Sequence, residues 1–136
     1  MDFYNHTRKL FAAGDVDEAN LKVMLVGAGY TFAATETALT AITAAEVSGN
    51  GWTLGGIAIA TSAVTAVGAD AKLDGDDISV TASGGDIGPA TALVVVDVTS
   101  SAPLFHYSFP SSQTAGDGTP FNVTWDASGI ATWTAV

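Results

Sequence analysis

The sequence predicts an all-β fold, a β-sandwich or barrel of about seven or eight short, mainly antiparallel strands with a short N-terminal helix. Short runs of alternating apolar and polar residues recur along most of the chain. Clusters of Gly, Ser, Asn and Asp, which favour tight turns, separate these runs. A length of 136 residues corresponds to a single domain. We expect the helix within residues 1–14 and the sandwich over residues 20–136.

The first predicted element is an amphipathic helix over residues 3–13. Phe3, Leu10 and Phe11 fall on one face at helical spacing. Gly14 then supplies the residue type that most often ends a helix, because it tolerates the left-handed conformation.

Positive charge is concentrated near the start of the chain. Arg8, Lys9 and Lys22 are three of the four basic residues. The simple interpretation is a helix packed on the edge of the sheet. The alternative is that this basic end meets an acidic partner surface, such as another copy of the same acidic protein. Phe3, Arg8 and Lys9 are therefore candidate partner-contact residues.

A first strand is predicted over residues 20–27, where Leu21, Val23 and Leu25 share one face at period 2. Residues 33–45 are rich in Ala and Thr, a composition compatible with a short helix or with an irregular loop.

Residues 46–57 contain four glycines, an Asn-Gly pair and a tryptophan. Asn-Gly is the strongest short signal for a tight turn, since both residues tolerate positive φ. This stretch is predicted to be the corner at which the chain enters a sheet. We expect Trp52 to pack against that sheet.

The middle of the chain continues in the same pattern. Residues 52–67 alternate with a slip in phase near Ser62, which predicts a bulge or a turn. Residues 70–77 form a charged loop in this interpretation, followed by a strand over residues 78–82. The continuous apolar run at residues 92–98 predicts a central strand with both faces covered or half covered.

The last third of the chain carries most of the aromatic residues that alternate in strands. Residues 103–109 predict a strand in which Phe105, His106 and Tyr107 are candidate contact residues between copies, with His106 facing solvent or a subunit boundary. Residues 121–125 and 130–134 predict a hairpin across a four-residue turn that ends in glycine. Such a hairpin would bring Trp125 and Trp133 together across the pair.

Composition excludes several classes of function. The formal net charge is −10, which opposes binding to a polyphosphate backbone, so no nucleic-acid partner is expected. No apolar run approaches the roughly 20 residues of a membrane span. Residues 1–10 do not resemble a signal peptide, so we expect synthesis in a cytoplasm. Cysteine is absent, which excludes thiolate chemistry and disulfides.

Candidate chemical sites are few. The carboxylates of Asp70, Asp74, Asp76 and Asp77 suit a hard cation such as calcium, but their spacing is not that of an EF-hand, and clustered aspartates at a β-turn are ordinarily a solvated loop. His106 lacks a nucleophile-elbow motif that would make it part of a catalytic triad. No catalytic residue, metal ligand or cofactor is predicted, and the protein is not expected to be an enzyme.

Aromatic side chains offer a further alternative, a carbohydrate-binding β-sandwich. Its stacking platforms would come from five residues: Tyr30, Trp52, Tyr107, Trp125 and Trp133. Aromatic residues at period 2 are more often part of a core.

The order and spacing of four motifs resemble those of a family of small virion structural proteins of tailed bacteriophages. The motifs are residues 20–26, 46–56, 82–90 and 121–130. The resemblance extends from about Phe3 to the C-terminus and implies a structural role in the phage particle. It implies most directly a capsid decoration or cement protein that binds the major capsid protein on the outer head surface, often as a trimer. A tail component, such as a tube, tip or fibre subunit, is the alternative within the virion.

Overall fold

The computed structural model describes residues 1–135 and confirms the all-β fold with a short N-terminal helix. The helical elements are α1 (Thr7–Ala13), a 3-10 turn (Glu18–Asn20) and α2 (Thr40–Ala44). The strands are β1 (Asp2–Phe3), β2 (Leu21–Val26), β3 (Glu46–Val47), β4 (Ile57–Ala58), β5 (Ala63–Val67), β6 (Asp70–Asp74), β7 (Ile78–Thr81), β8 (Ile87–Asp97), β9 (Ala102–Ala115), β10 (Pro120–Val123) and β11 (Ala131–Trp133). Three of these strands, β1, β3 and β4, have only two residues, which is why the sequence predicted fewer. No helix within residues 1–135 is long and apolar enough to cross a membrane.

A six-stranded antiparallel sheet forms the centre of the molecule, in the order β1-β9-β8-β2-β3, with β4 also paired to β2. Strand β2 runs along β8 from the Leu21–Asp97 pair to the Val26–Ala92 pair. A two-stranded sheet (β10-β7) and a three-stranded sheet (β11-β6-β5) complete the fold.

Each face of the central sheet is covered by a different part of the chain. Leu93 and Val95 of β8 belong to one hydrophobic cluster that includes Leu73 of β6 and Phe121 of β10, so the two small sheets cover that face. Val94 and its even-numbered neighbours belong to a second cluster, which is covered by Tyr4, Ile42 and the partly buried Phe32. The prediction of a central strand over residues 92–98 is confirmed, and its unbroken apolar run reflects burial on both faces.

The corner at residues 46–57 also forms as predicted. Gly49 and Trp52 exchange backbone hydrogen bonds of 2.8 and 3.0 Å around Asn50 and Gly51. Asn50 has φ 55° and Gly51 has φ 110°, as a type I′ turn requires. Trp52 is buried and packs edge-on against Phe121, with ring centroids 5.4 Å apart.

The hairpin predicted from residues 121–125 and 130–134 is wrong. The turn between them forms, but β10 pairs with β7 and β11 pairs with β6. Two hydrogen bonds hold Trp125 against the loop after β6. Its backbone N–H donates to Asp77 Oδ1, and its Nε1–H donates to Asp76 O. Gly129 approaches β6 so closely that a Cβ there would lie 2.5 Å from Leu73 O. Trp133 lies in β11, whereas Trp125 follows the end of β10 outside any strand, so the two rings do not pair across a hairpin.

The helix predicted over residues 3–13 begins later than expected. Phe3 pairs with Phe105 in an antiparallel bridge, so the chain starts as an edge strand and α1 begins at Thr7. The predicted stop is confirmed, since Gly14 has φ 73° and its N–H bonds back to the end of the helix.

The structure shows which form two segments in the middle of the chain adopt. For residues 33–45 the sequence is compatible with a short helix or an irregular loop. The structure has a loop that contains the five-residue helix α2. The charged loop predicted over residues 70–77 is wrong in its first half, because Asp70–Asp74 is the central strand of the three-stranded sheet. Leu73 of this strand is buried in the core, and Lys72 forms an ion pair with Asp74 at 2.7 Å, so the charges do not prevent strand pairing.

Candidate interaction surface

The N-terminal segment forms a surface in which an aromatic ring lies beneath an exposed cation. Strand β1 places Phe3 edge-on against Phe105, with ring centroids 5.1 Å apart. The guanidinium of Arg8 lies 5.1 Å from the centroid of the Phe3 ring, within the range of a cation–π contact. Lys9 is exposed on the same helix. We call Phe3, Arg8 and Lys9 the basic patch.

The basic patch is distinctive because the other two cations of the chain are less available. Lys22 is half-buried in the central sheet, and Lys72 forms an ion pair with Asp74 at 2.7 Å. A chain with a net charge of −10 thus presents two exposed positive charges together on one short helix. Such an arrangement favours an acidic partner surface.

A surface pocket of about 260 Å³ adjoins the basic patch. Its lining is apolar except for two side chains of opposite charge, Arg8 and Glu18. The apolar lining residues are Phe11, Ala12, Val64, Ala71 and Trp133. The pocket therefore combines an apolar surface with the charge of Arg8.

The predicted contact residues of β9 are less accessible than those of α1. Phe105 is fully buried in the core, so its side chain presents no surface in this conformation. His106 is 7% exposed, which contradicts the expectation that it faces solvent. It stacks on Phe32, with ring centroids 4.7 Å apart, and its Nδ1 lies 3.3 Å from Asp2 Oδ2. Alternation puts His106 on the face of the sheet opposite to Phe105, but it does not reveal that the loop after β2 covers this face.

Tyr107 is half-buried, and its hydroxyl donates to Ile130 O. Burial raises the pKa of Tyr107 above its usual value. This hydrogen bond joins the central sheet to the start of β11, so the hydroxyl has a structural partner. Its ring remains partly accessible.

A chain of hydroxyl and carboxylate groups holds the loop that covers the second face. The hydroxyls of Tyr4 and Tyr30 are 2.5 Å apart, and Tyr30 donates to Glu36 Oε2 at 2.7 Å. Burial raises the pKa of Tyr4 to about 12. The pKa of Tyr30 is raised as well, first by burial and then by its hydrogen bonds to Tyr4 and Glu36. The arrangement favours neutral phenols that fix the loop on the sheet.

The four aspartates considered for calcium have other partners. Asp70 Oδ1 accepts from Ala135 N–H and Asp77 Oδ1 from Trp125 N–H. Asp76 Oδ1 accepts from the Thr61 hydroxyl, and the hydrogen bond from Lys72 is the main cause that lowers the pKa of Asp74. Within residues 1–135, no group of three or more metal-type side chains is placed to hold an ion.

The five aromatic residues considered as sugar platforms are separated by the fold. Trp52 is buried, Trp133 packs against Phe11, and Tyr30 belongs to the network described above. Only Tyr107 and Trp125 come together, with ring centroids 5.9 Å apart. Sequence reasoning missed the open cleft between them, because it forms where strands from different sheets meet and no local pattern reports that contact.

Comparisons with protein-family models, with curated proteins and with solved structures found no match to this chain.

Proposed function

We propose that the protein is a structural component of a tailed-phage virion, a capsid decoration protein that binds the outer head surface and stabilises it. The partner in this proposal is the major capsid protein. The resemblance of the four sequence motifs to phage structural proteins supports a place in the virion. The chain is acidic, which disfavours contact with packaged DNA and is compatible with a position outside the head.

The basic patch is the observation that supports this face of the protein as the surface in contact with the capsid. Arg8 and Lys9 are consecutive exposed residues of α1, and Arg8 lines the pocket together with Phe11 and Trp133. Charge complementarity guides the approach to an acidic capsid surface, and the apolar pocket adds contact area once the two surfaces meet. Within the patch, the ring of Phe3 lies against the Arg8 guanidinium and helps to hold it in place.

Association of copies, as a trimer, is the second part of the proposal. Strand β5 has exposed side chains along most of its length, and Val67 is 55% exposed. Glu18 Oε2 accepts from the backbone N–H of Val64, so part of this outer strand edge is already occupied. The remaining edge is a candidate contact between copies, since unpaired strand edges readily pair with another chain.

A head-binding assay with a charge-matched control tests the contact surface. Arg8→Gln with Lys9→Gln changes the net charge from −10 to −12, because two positive charges are removed. Ser48→Glu with Ser79→Glu also gives −12, since it adds two negative charges at exposed positions outside the basic patch. Purified phage heads that lack the protein are mixed with each variant and sedimented.

We expect the wild-type chain and the Ser48/Ser79 variant to sediment with heads, and the Arg8/Lys9 variant to bind about tenfold more weakly at low salt. Equal binding by the two double variants would show that the basic patch is not the contact. Binding to isolated tails in place of heads would assign the chain to the tail.

A further inference from the structure

A second accessible feature lies on the side of the molecule where β9 approaches β10. The cleft has a volume of about 400 Å³, within the range of small-ligand sites. The buried Leu93 and Val123 line its apolar part. Tyr107 and Phe109 of β9 line it together with Trp125, which follows β10. We call this feature the aromatic cleft.

The aromatic side chains of the cleft are held in place before any ligand arrives. Trp125 Nε1–H donates to Asp76 O at 3.1 Å, and the backbone N–H of Trp125 donates to Asp77 at 2.9 Å. The Tyr107 hydroxyl donates to Ile130 O. Both residues remain only half-buried, so part of each side chain is accessible. Because the rings are already ordered, a ligand would bind without the entropic cost of fixing them.

Neutral polar groups complete the lining. Asn122 and Thr124 are exposed in the cleft, and Ser108 lies across from them on β9. Ala82 N–H donates to Thr119 O, which makes Pro120–Thr81 a non-hydrogen-bonded pair. By the alternation of an antiparallel ladder, the backbone N–H and C=O of Asn122 then point away from β7. The amide and hydroxyl side chains can both donate and accept hydrogen bonds.

The charges of the residues that line the aromatic cleft limit the chemical class of ligand that it favours. No Lys or Arg is among the residues that line the cleft within the described chain, and the carboxylate present is that of Asp126. One oxygen of Asp126 accepts from the Ser128 N–H and hydroxyl, and these bonds lower the pKa of Asp126. Phosphates, carboxylates and sulfated ligands are therefore disfavoured by charge.

We propose that the aromatic cleft binds a neutral oligosaccharide. The C–H faces of a sugar ring pack on Trp125 and Tyr107, and its hydroxyls hydrogen-bond to Asn122 and Thr124. A purely apolar ligand would leave these polar groups without partners, which weakens its binding. The proposal does not depend on the contact with a capsid, because the residues that line the cleft include none of the basic patch.

The test is an NMR titration of the full chain with neutral gluco-, galacto-, manno- and N-acetylglucosamine oligosaccharides at millimolar concentration. We expect saturable shifts at the cleft residues with at least one of these series. Asn122→Ala is expected to weaken binding about tenfold, as the loss of a hydrogen bond to a ligand does. Asn5→Ala is the matched control, since Asn5 is also an exposed asparagine but is not among the residues that line the cleft.

Tryptophan fluorescence gives a second readout. The same sugar should change the emission of the wild-type chain, and Trp125→Phe should abolish that change while Trp52 and Trp133 continue to emit. The proposal is overturned if none of the neutral sugars gives saturable shifts, if the shifts lie outside the cleft, or if Asn122→Ala and Asn5→Ala bind the sugar equally. It is also overturned if the fluorescence change persists without Trp125.

Discussion

Gly51 illustrates how a single backbone position fixes the corner of the molecule. It has φ 110°, and a Cβ at this position would lie 2.9 Å from the carbonyl oxygen of Thr81. Gly49 has a similar φ of 101°, but a Cβ there would meet no atom within 4 Å. Substitutions at Gly49 and Gly51 therefore distinguish the free-energy cost of a strained φ from the added cost of a steric clash.

We expect Gly49→Ala to lower the free energy of unfolding by about 1 kcal/mol, because alanine is strained at positive φ. Gly51→Ala should cost about 1–3 kcal/mol more, since the turn must also move away from Thr81. Urea denaturation followed by tryptophan fluorescence measures both values. Similar losses for the two variants would show that the turn adjusts freely and that the close approach does not matter.

Trp52 and His106 are both buried, but only the burial of Trp52 follows from local sequence. The Asn50-Gly51 turn and the burial of Trp52 were predictable, because turn chemistry is local. The burial of His106 was not, because its covering residue Phe32 is far away in the chain. A period-2 pattern assigns a residue to a face of a sheet but does not say what lies over that face.

At the scale of elements, the loop over the second face of the sheet depends on the Tyr4–Tyr30–Glu36 network. The pKa of Tyr4 is raised to about 12 and that of Tyr30 is also raised, in both cases first by burial. An unfolded tyrosine has a pKa of about 10. Each phenol thus stabilises the fold fully below pH ~10 and loses that contribution as the pH rises through its folded value.

We therefore expect spectrophotometric titration of the native protein to show no tyrosine ionising near its unperturbed pKa. Tyr107 has a raised pKa as well, so all three tyrosines of the chain should behave in this way. Ionisation should coincide with the loss of structure on the alkaline side, as circular dichroism would report. Reversible ionisation of Tyr4 or Tyr30 near pH ~10, with the fold intact, would contradict the network.

The strands on either side of the turn at residues 126–129 do not pair with each other. The turn at residues 126–129 has the composition of a hairpin and forms locally, with Asp126 bridged to Gly129. The flanking strands nevertheless separate, because β7 and β6 provide the partners for β10 and β11. Local turn chemistry predicts that the chain reverses, but the pairing of the strands is decided by tertiary contacts.

For the molecule as a whole, the fold class was predictable because alternation and turn residues recur along most of the chain. The arrangement into one large sheet and two small ones was not, since strand order depends on long-range pairing. The same distinction applies to the surface. The positions of Arg8 and Lys9 on a helix were readable in the sequence, whereas the aromatic cleft arises only when β9 and β10 come together.

Immunogold labelling of intact virions tests whether the protein resides on the outside of the phage head. Antibodies against the purified chain are applied to phage particles whose genome encodes it, and gold positions are scored by electron microscopy. We predict label distributed over the outer surface of the head. Label confined to the tail, or no label on particles whose proteins are shown to include the chain, would contradict a decoration protein exposed on the capsid.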